Sequence, residues 1–268
     1  MNIVKQTNES ARHPGDDADL GRPITTSAQD LSHGPHRFAW HSHTRAQLVY
    51  AAVGVIRVET ISGLWWVPPQ QAVWVPARIE HEVAAEQAVS MRSLYVHERA
   101  ARRLPAVCGV VPVKPLLREL IVEACRRLGN DAVDVTDARL TAVILDELQQ
   151  LRPEPLYLPI PQDKRLRRIV DVLAADPTDS RTLDDWGRSA GASARTLARR
   201  FQRETGLSFG RWRQRLRILS AIPKLSAGDS VTRVAYDLGY RSPSAFIAVF
   251  RRTLGQPPAR FARARREQ

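Results

Sequence analysis

The chain has 268 residues, 43% of them hydrophobic, and a formal net charge of +12 at pH 7. That length holds about two domains, and that hydrophobic fraction suits globular cores. No uninterrupted apolar run approaches the roughly 20 residues of a membrane helix, and the N-terminus lacks an apolar signal core, so no membrane partner and a cytoplasmic location are expected.

The charge is uneven. Residues 161–268 hold 23 Lys+Arg against 10 Asp+Glu, while residues 1–160 hold 17 against 18. A concentrated positive field selects a polyanion. Acidic lipid is the rival target, but basic membrane helices need a broad apolar face. Nucleic acid is the expected partner.

Residues 1–25 are polar and are expected to be a disordered tail. "HSHTRAQLVY", 41–50, opens the chemistry. Alternate residues on a strand point the same way, so His41 and His43 could grip one metal ion together. From Arg37 to Val96 short strands alternate with turns. "QLVYAA" and "VIRVET" flank Gly54, Ser62-Gly63 precedes "LWWV", and Pro68-Pro69 breaks the chain before "AVWV". Many short strands with hairpin signals make residues 26–100 a small barrel or sandwich. Trp65, Trp66 and Trp74 could line a pocket, but aromatic residues on such strands are more often plain core.

Region 101–151 is helical. Leu116, Leu117, Leu120, Ile121, Ala124, Cys125 and Leu128 recur at helical spacing, as do Leu140, Val143, Ile144, Leu148 and Leu151, with Gly129-Asn130 as the stop between them. The two stripes of 112–151 cover the β-domain, meet a second subunit, or do both. Cys108 and Cys125 fit reduced thiols. "RPEPLYLPIPQDK" holds four prolines, which marks 152–162 as a linker.

Residues 163–268 read as almost wholly helical and contain a repeat. Leu183, Trp186, Ala190 and Gly191 match Val231, Val234, Leu238 and Gly239. After one extra residue, Leu197, Phe201 and Gly206 match Phe246, Phe250 and Gly255. Each copy is helix, glycine turn, helix: the helix-turn-helix layout. Ser193 and Ser242 are placed to cap the second helices. Leu197 and Phe201, like Phe246 and Phe250, should anchor those helices inward. Arg195, Arg199 and Arg200 lie on other faces, and arginine can bond both acceptors of a guanine edge. The second copy presents Ser244, Ile247 and Ala248 with Arg241, Arg251 and Arg252 at the flanks, which suits apolar contacts and phosphate clamping. Trp212, Leu216, Leu219 and Ile222 form the apolar stripe of a connecting helix. Pro223 inside it removes a hydrogen bond and can kink or break it.

At this point the sequence resembles the AraC/XylS family of bacterial transcription regulators. "VAYDLGYRSPSAFIAVFRRTLGQPPARF" is close to the family signature around the second helix-turn-helix. The resemblance implies a seven-helix DNA-binding domain over 163–268. It places base-reading positions on Arg195, Ala198 and Arg199, then on Ser244, Ile247 and Ala248. "HSHTRAQLVYAAVG" and "PARIEH" resemble the two cupin motifs, with His41, His43 and His81, Gln47 where cupins usually carry glutamate, and Arg78 in place of the usual glycine.

The resulting expectation is an α+β chain with a cupin-like barrel, a helical hairpin linker and an all-α domain with two helix-turn-helix motifs. It would bind double-stranded promoter DNA as a homodimer, answer a small effector, contact RNA polymerase and act as activator or repressor. Three readings of His41, His43, Gln47 and His81 stay open: a divalent metal centre holding Zn, Fe, Ni or Cu, a metal-free effector pocket, or hydrogen-bonded structural residues. No catalytic residue is assigned. The competing classes are a cupin dioxygenase or isomerase fused to a DNA-binding module, and a nucleoid-type binder without sequence preference.

Overall fold

The computed structural model describes residues 21–32, 34–68, 70–128, 134–152 and 157–259. Most of the expected tail, the Gly129-Asn130 stop, part of the proline-rich segment and everything after residue 259 lie outside them. The chain forms two compact units: Met1–Thr60 with Val67–Pro155, and Ile61–Trp66 with Leu156–Gln268.

The first unit carries strands β1 (Ile24–Leu31), β2 (His36–His41), β3 (Ala46–Val53), β4 (Ile56–Thr60), β6 (Gln71–Val75), β7 (His81–Ala85), β8 (Val89–Val96) and β9 (Gly109–Pro112), with a short helix α1 (Glu98–Ala101) between β8 and β9. β1, β8, β3, β6 and β9 lie side by side in that order, antiparallel. β7 pairs with both β2 and β4. Two results correct the sequence reading. Among the described residues the β1-to-β9 ladder ends in two edges rather than closing into a barrel. β9 itself lies beyond residue 100, in the region expected to be helical. Its last residue, Pro112, has no N–H to give, which suits an edge strand.

Alternation sorts β3. Leu48 and Tyr50 join the core beneath helices α2 (Pro115–Arg127) and α3 (Val135–Gln149), with Trp74, Leu94, Leu117, Ile121, Ala124, Ile144 and Leu148. Most of each helical stripe therefore covers the sheet, but Leu116 and Val143, expected within the stripes, are exposed. Gln47 lies on the opposite face of β3 because successive strand residues alternate. Trp74 is core as expected, and its Nε1 donates to Pro105 O at 2.7 Å. Cys108 and Cys125 are free, and burial pushes both thiols up to about 11.

The second unit takes β5 (Gly63–Val67) from the N-terminal half of the sequence and pairs it with β10 (Tyr157–Pro159), Trp65 opposite Tyr157 and Gly63 opposite Pro159. Residues 157–159, expected within the linker, are thus a strand. Its proline is tolerated because the strand is an edge. Helices α4 (Lys164–Ala175), α5 (Leu183–Ala190), α6 (Ala194–Thr205), α7 (Phe209–Ser226), α8 (Val231–Asp237) and α9 (Pro243–Leu254) follow. The expected seventh helix falls largely outside the described residues.

Helix α7 runs unbroken through Pro223 to Ser226. The proline cannot donate to Leu219 O, but it sits in the last turn with only three helical residues beyond it, so a bend there displaces little of the helix. Trp212, Leu216, Leu219 and Ile222 are all at most 1% exposed, so the predicted stripe is the helix's buried face. Among the described residues no helix is long and apolar enough to cross a membrane.

Candidate functional site

The histidines converge. His41 ends β2 opposite His81, the first residue of β7. His43 is not on the strand with His41, as expected, but in the turn leading to β3. One ligand atom from each of the three lies within 4.8 Å of the others. The turn is held by Arg78, whose N–H donates to His43 O at 2.8 Å. Arg78 has a φ of 65°, a left-handed geometry that favours glycine. That is the position where the sequence departs from the cupin glycine.

All three Nδ1 atoms face backbone carbonyls: Ala39 O at 2.7 Å, Arg45 O at 2.5 Å and Ile79 O at 2.8 Å. A carbonyl accepts only, so Nδ1 must carry the proton, and in a neutral ring Nε2 keeps its lone pair. Gln47 Oε1 sits 3.2 Å from His43 Nε2 and 3.0 Å from His81 Nε2. Lone pairs that converge in this way form a donor set for a cation, and such spacings fit neighbouring ligands around one ion at about 2.1 Å. Gln47 Nε2 donates to Ser93 Oγ at 3.2 Å and Tyr95 Oη at 3.1 Å, which aims Oε1 at the histidines. Without a cation the opposite amide orientation satisfies His43, His81 and Gln47: NH₂ toward the two Nε2 atoms, Oε1 accepting from the hydroxyls. His43, Gln47 and His81 are 4%, 3% and 0% exposed, and His41 is half-buried. Sequence reasoning missed Ser93 and Tyr95. The signal was present but non-local: β8 pairs with β3 so that Tyr95 falls opposite Gln47, with Ser93 two residues along on the same face.

The second site is helical. Ser193 Oγ accepts from Thr196 N–H, and Ser242 Oγ from Ala245 N–H. Gly191 and Gly239 turn the chain with φ of 62° and 76°. Leu197, Phe201, Phe246 and Phe250 are at most 1% exposed. Arg195 and Arg199 on α6 are exposed, as are Ser244, Ile247, Ala248 and Arg251 on α9 and Arg241 just before it; Ala198 is half-buried. Among the described residues Arg195, Arg199, Arg241 and Arg251 make no ion pair.

Arg200 differs. It is half-buried and ion-paired to Asp163 and Glu204, so its guanidinium holds α6 in place instead of facing outward. Burial alone would raise the Asp163 carboxyl. Hydrogen bonds from the Arg165 side chain and from the Arg165 and Leu166 amides outweigh it and hold the group below the usual carboxylate range. A cleft of about 640 Å³ runs past Ala198, Arg199 and Gln202 to Ser208 and Arg213. Ser208 caps α7 there, so helix amides and arginines line one groove, an arrangement suited to phosphate.

Comparison with known proteins gives two family matches. Residues 27–175 match the AraC-like ligand binding domain and residues 186–264 a helix-turn-helix domain. The chain is 37% identical over 221 residues to the HTH-type transcriptional regulator NimR of Escherichia coli, covering 82% of this chain and 81% of NimR. It is 35% identical over 103 residues to the HTH-type transcriptional regulator RipA of Corynebacterium glutamicum, covering 38% of this chain and 31% of RipA. The crystal structure of ToxT from Vibrio cholerae aligns over 90% of this chain and 98% of its own, at 11% identity and a TM-score of 0.38. A ligand-binding domain matched through the histidine cluster, a helix-turn-helix match over the basic helices, and a relative alike across both together place the chain in the AraC family of DNA-binding transcriptional regulators.

Proposed function

We propose that the first unit is a cupin-type sensor whose ligand is held at His41, His43, Gln47 and His81, and that α5–α6 and α8–α9 are two helix-turn-helix units reading successive major grooves. The observation that carries the sensor reading is the convergence of His41, His43 and His81, each held through Nδ1 by a backbone carbonyl, with the Gln47 amide oxygen facing the Nε2 atoms of His43 and His81. Such second contacts fix ligand geometry and raise ligand basicity. Three imidazoles and a neutral amide suit Zn, Fe, Ni or Cu. The set contains no anionic ligand, so a bound divalent ion keeps its full charge and attracts an anionic or polar effector. Arg195, Ala198 and Arg199 read bases from α6; Ser244, Ile247 and Ala248 read from α9; Arg241 and Arg251 clamp phosphate. An 18-residue α7, about 27 Å long, spaces the two units. The relatives are named transcriptional regulators, which disfavours the metalloenzyme alternative.

The deciding experiment is selection of duplex DNA from a random pool by the full chain. The expected result is a motif of two half-elements about one helical turn apart. Uniform binding to every duplex with a steep salt slope would instead identify a nucleoid-type binder. For the sensor, titration calorimetry on metal-stripped protein should show one Zn²⁺ or Ni²⁺ per chain, lost in His81→Ala and weakened about 10–100-fold in Tyr95→Phe, which releases one of the two bonds that aim Gln47. Retention of full metal affinity in Tyr95→Phe would leave Gln47 outside the ligand set, and no metal binding at all would leave a metal-free pocket.

The homodimer contact is assigned to the outer face of α3, where Val135 and Val143 are 70% and 43% exposed. In an antiparallel pairing about a two-fold axis between positions 142 and 143, Arg139 of one copy meets Asp146 of the other. Val143→Asp should halve the mass seen by sedimentation equilibrium; an unchanged dimer would move the contact elsewhere. Bound at a promoter, such a dimer would contact RNA polymerase or obstruct it.

A further inference from the structure

A short covalent and hydrogen-bonded route leads from the histidine cluster to the helix bearing Arg195 and Arg199. Thr60, the last residue of β4, lies opposite His81 on β7, and the two are 1% and 0% exposed. The chain then enters Ile61–Trp66, which belongs to the second unit. Ile61 O accepts from Gln162 Nε2 at 2.6 Å, and Ser62 O accepts from Ile160 N–H at 3.1 Å. Gly63 follows under the stacked rings of Trp65 and Tyr157, where an added Cβ would fall 2.9 Å from Trp65 and 3.2 Å from Tyr157. Residues 162 and 163 in turn hold α6. The Gln162 and Asp163 N–H groups both donate to Glu204 Oε2, at 2.9 and 3.0 Å, and the Asp163 carboxylate takes Arg200. Arg200 and Glu204 are one turn apart on α6 and pair with each other. Neither Gln162 nor Glu204 belongs to the sensor or to the base-reading face.

We propose that Gln162 and Glu204 are positioning residues that transmit the state of the histidine cluster to α6. The proposal rests on the sensor reading above and names how that sensor regulates DNA binding. A ligand that draws the His81 ring inward shifts the end of β7, and Thr60 follows because the ladder bonds are directional. Ile61 is the next residue, so its carbonyl moves too. A hydrogen bond to it survives a few tenths of an ångström and not much more. Gln162 is therefore either engaged or released. Released, residues 162–163 no longer anchor the carboxylate of Glu204, whose charge-assisted bonds are among the stronger contacts of α6. Ligand shifts the balance only by binding one arrangement better than the other.

The test is amide hydrogen exchange by mass spectrometry on the full chain, without DNA or added metal. His81→Gln should change exchange across residues 195–205 by about fivefold or more, the low end of known couplings. The same replacement in a Gln162→Ala background should leave α6 unchanged, because without the bond to Ile61 O residues 162–163 are already in the released state and no longer follow β7. Thr60→Ala applies the perturbation from the same point in the ladder if His81→Gln fails to fold. An equal change in both backgrounds, or no change in either, overturns the proposal. Added Zn²⁺ separates the two readings. If Zn²⁺ does not bind while His81→Gln still acts only through Gln162, the metal reading fails and the relay stands. If Zn²⁺ binds and α6 is unmoved, the relay does not serve the ligand and the proposal is overturned.

Discussion

Replacing Arg195 and Arg199 by alanine together is expected to abolish operator binding at concentrations where the unchanged chain saturates it. The two residues are one turn apart on α6, both exposed, on a helix pinned from behind by buried Leu197 and Phe201. A bidentate arginine contributes about 1–3 kcal/mol of discrimination at its guanine, roughly 5- to 150-fold in affinity each. Neighbours on one helix need not add, so the double change is bounded by the two singles only approximately. The single variants carry the mechanism. Each should relax selection at particular positions of the motif and leave the others sharp. Uniform weakening with a salt slope reduced by about one would make that arginine a phosphate contact. Arg199→Lys should not rescue base selection, because a lysine ammonium cannot reproduce the planar fork.

Trp212→Ala should destabilise the second unit by about 3–5 kcal/mol, the usual cost of emptying a large aromatic site. Trp212 is 0% exposed and meets the Phe201 ring edge-on, with centroids 5.6 Å apart and planes at 83°. It therefore fills the space behind the helix that presents Arg195 and Arg199. Its Nε1 also donates to Pro159 O at 2.7 Å, tying α7 to β10. For a unit of about 100 residues each kcal/mol moves the melting temperature by about 4–8 °C, so calorimetry should show a drop on the order of 10–40 °C. Trp212→Phe keeps most of the packing and removes the donor, so it should cost far less. If the two variants were equally damaging, the hydrogen bond to β10 and not the ring would be the dominant contact.

Much was legible in the sequence because it is local. The glycine turns, the serine caps and the i, i+4 anchors of α6 and α9 each depend on residues within a few positions, and the repeat displayed them twice. The stripe of α7 was readable for the same reason. Pro223 was harder to judge, since the consequence of a kink depends on how much helix lies beyond it, and only three residues of α7 do. Length and charge asymmetry likewise pointed to two parts with a basic C-terminal half, whereas the strand alternation invoked for His41 and His43 does not hold, because His43 lies in the turn after β2.

What the sequence could not show was set by pairings between distant segments. Gln47 gains its orientation from Ser93 and Tyr95, 46 and 48 residues away, through a strand register that no local pattern encodes. The β9 and β10 strands are too short and proline-bearing to show a period of two. Arg200 read as one more surface arginine until the fold brought Asp163 and Glu204 around it. Even the boundary between the units is non-local: Ile61–Trp66 belongs to the C-terminal unit, in which β10 pairs with β5 across about ninety residues of sequence. Backbone hydrogen bonds must be satisfied wherever the chain is buried, and which segment satisfies them is decided by the tertiary structure.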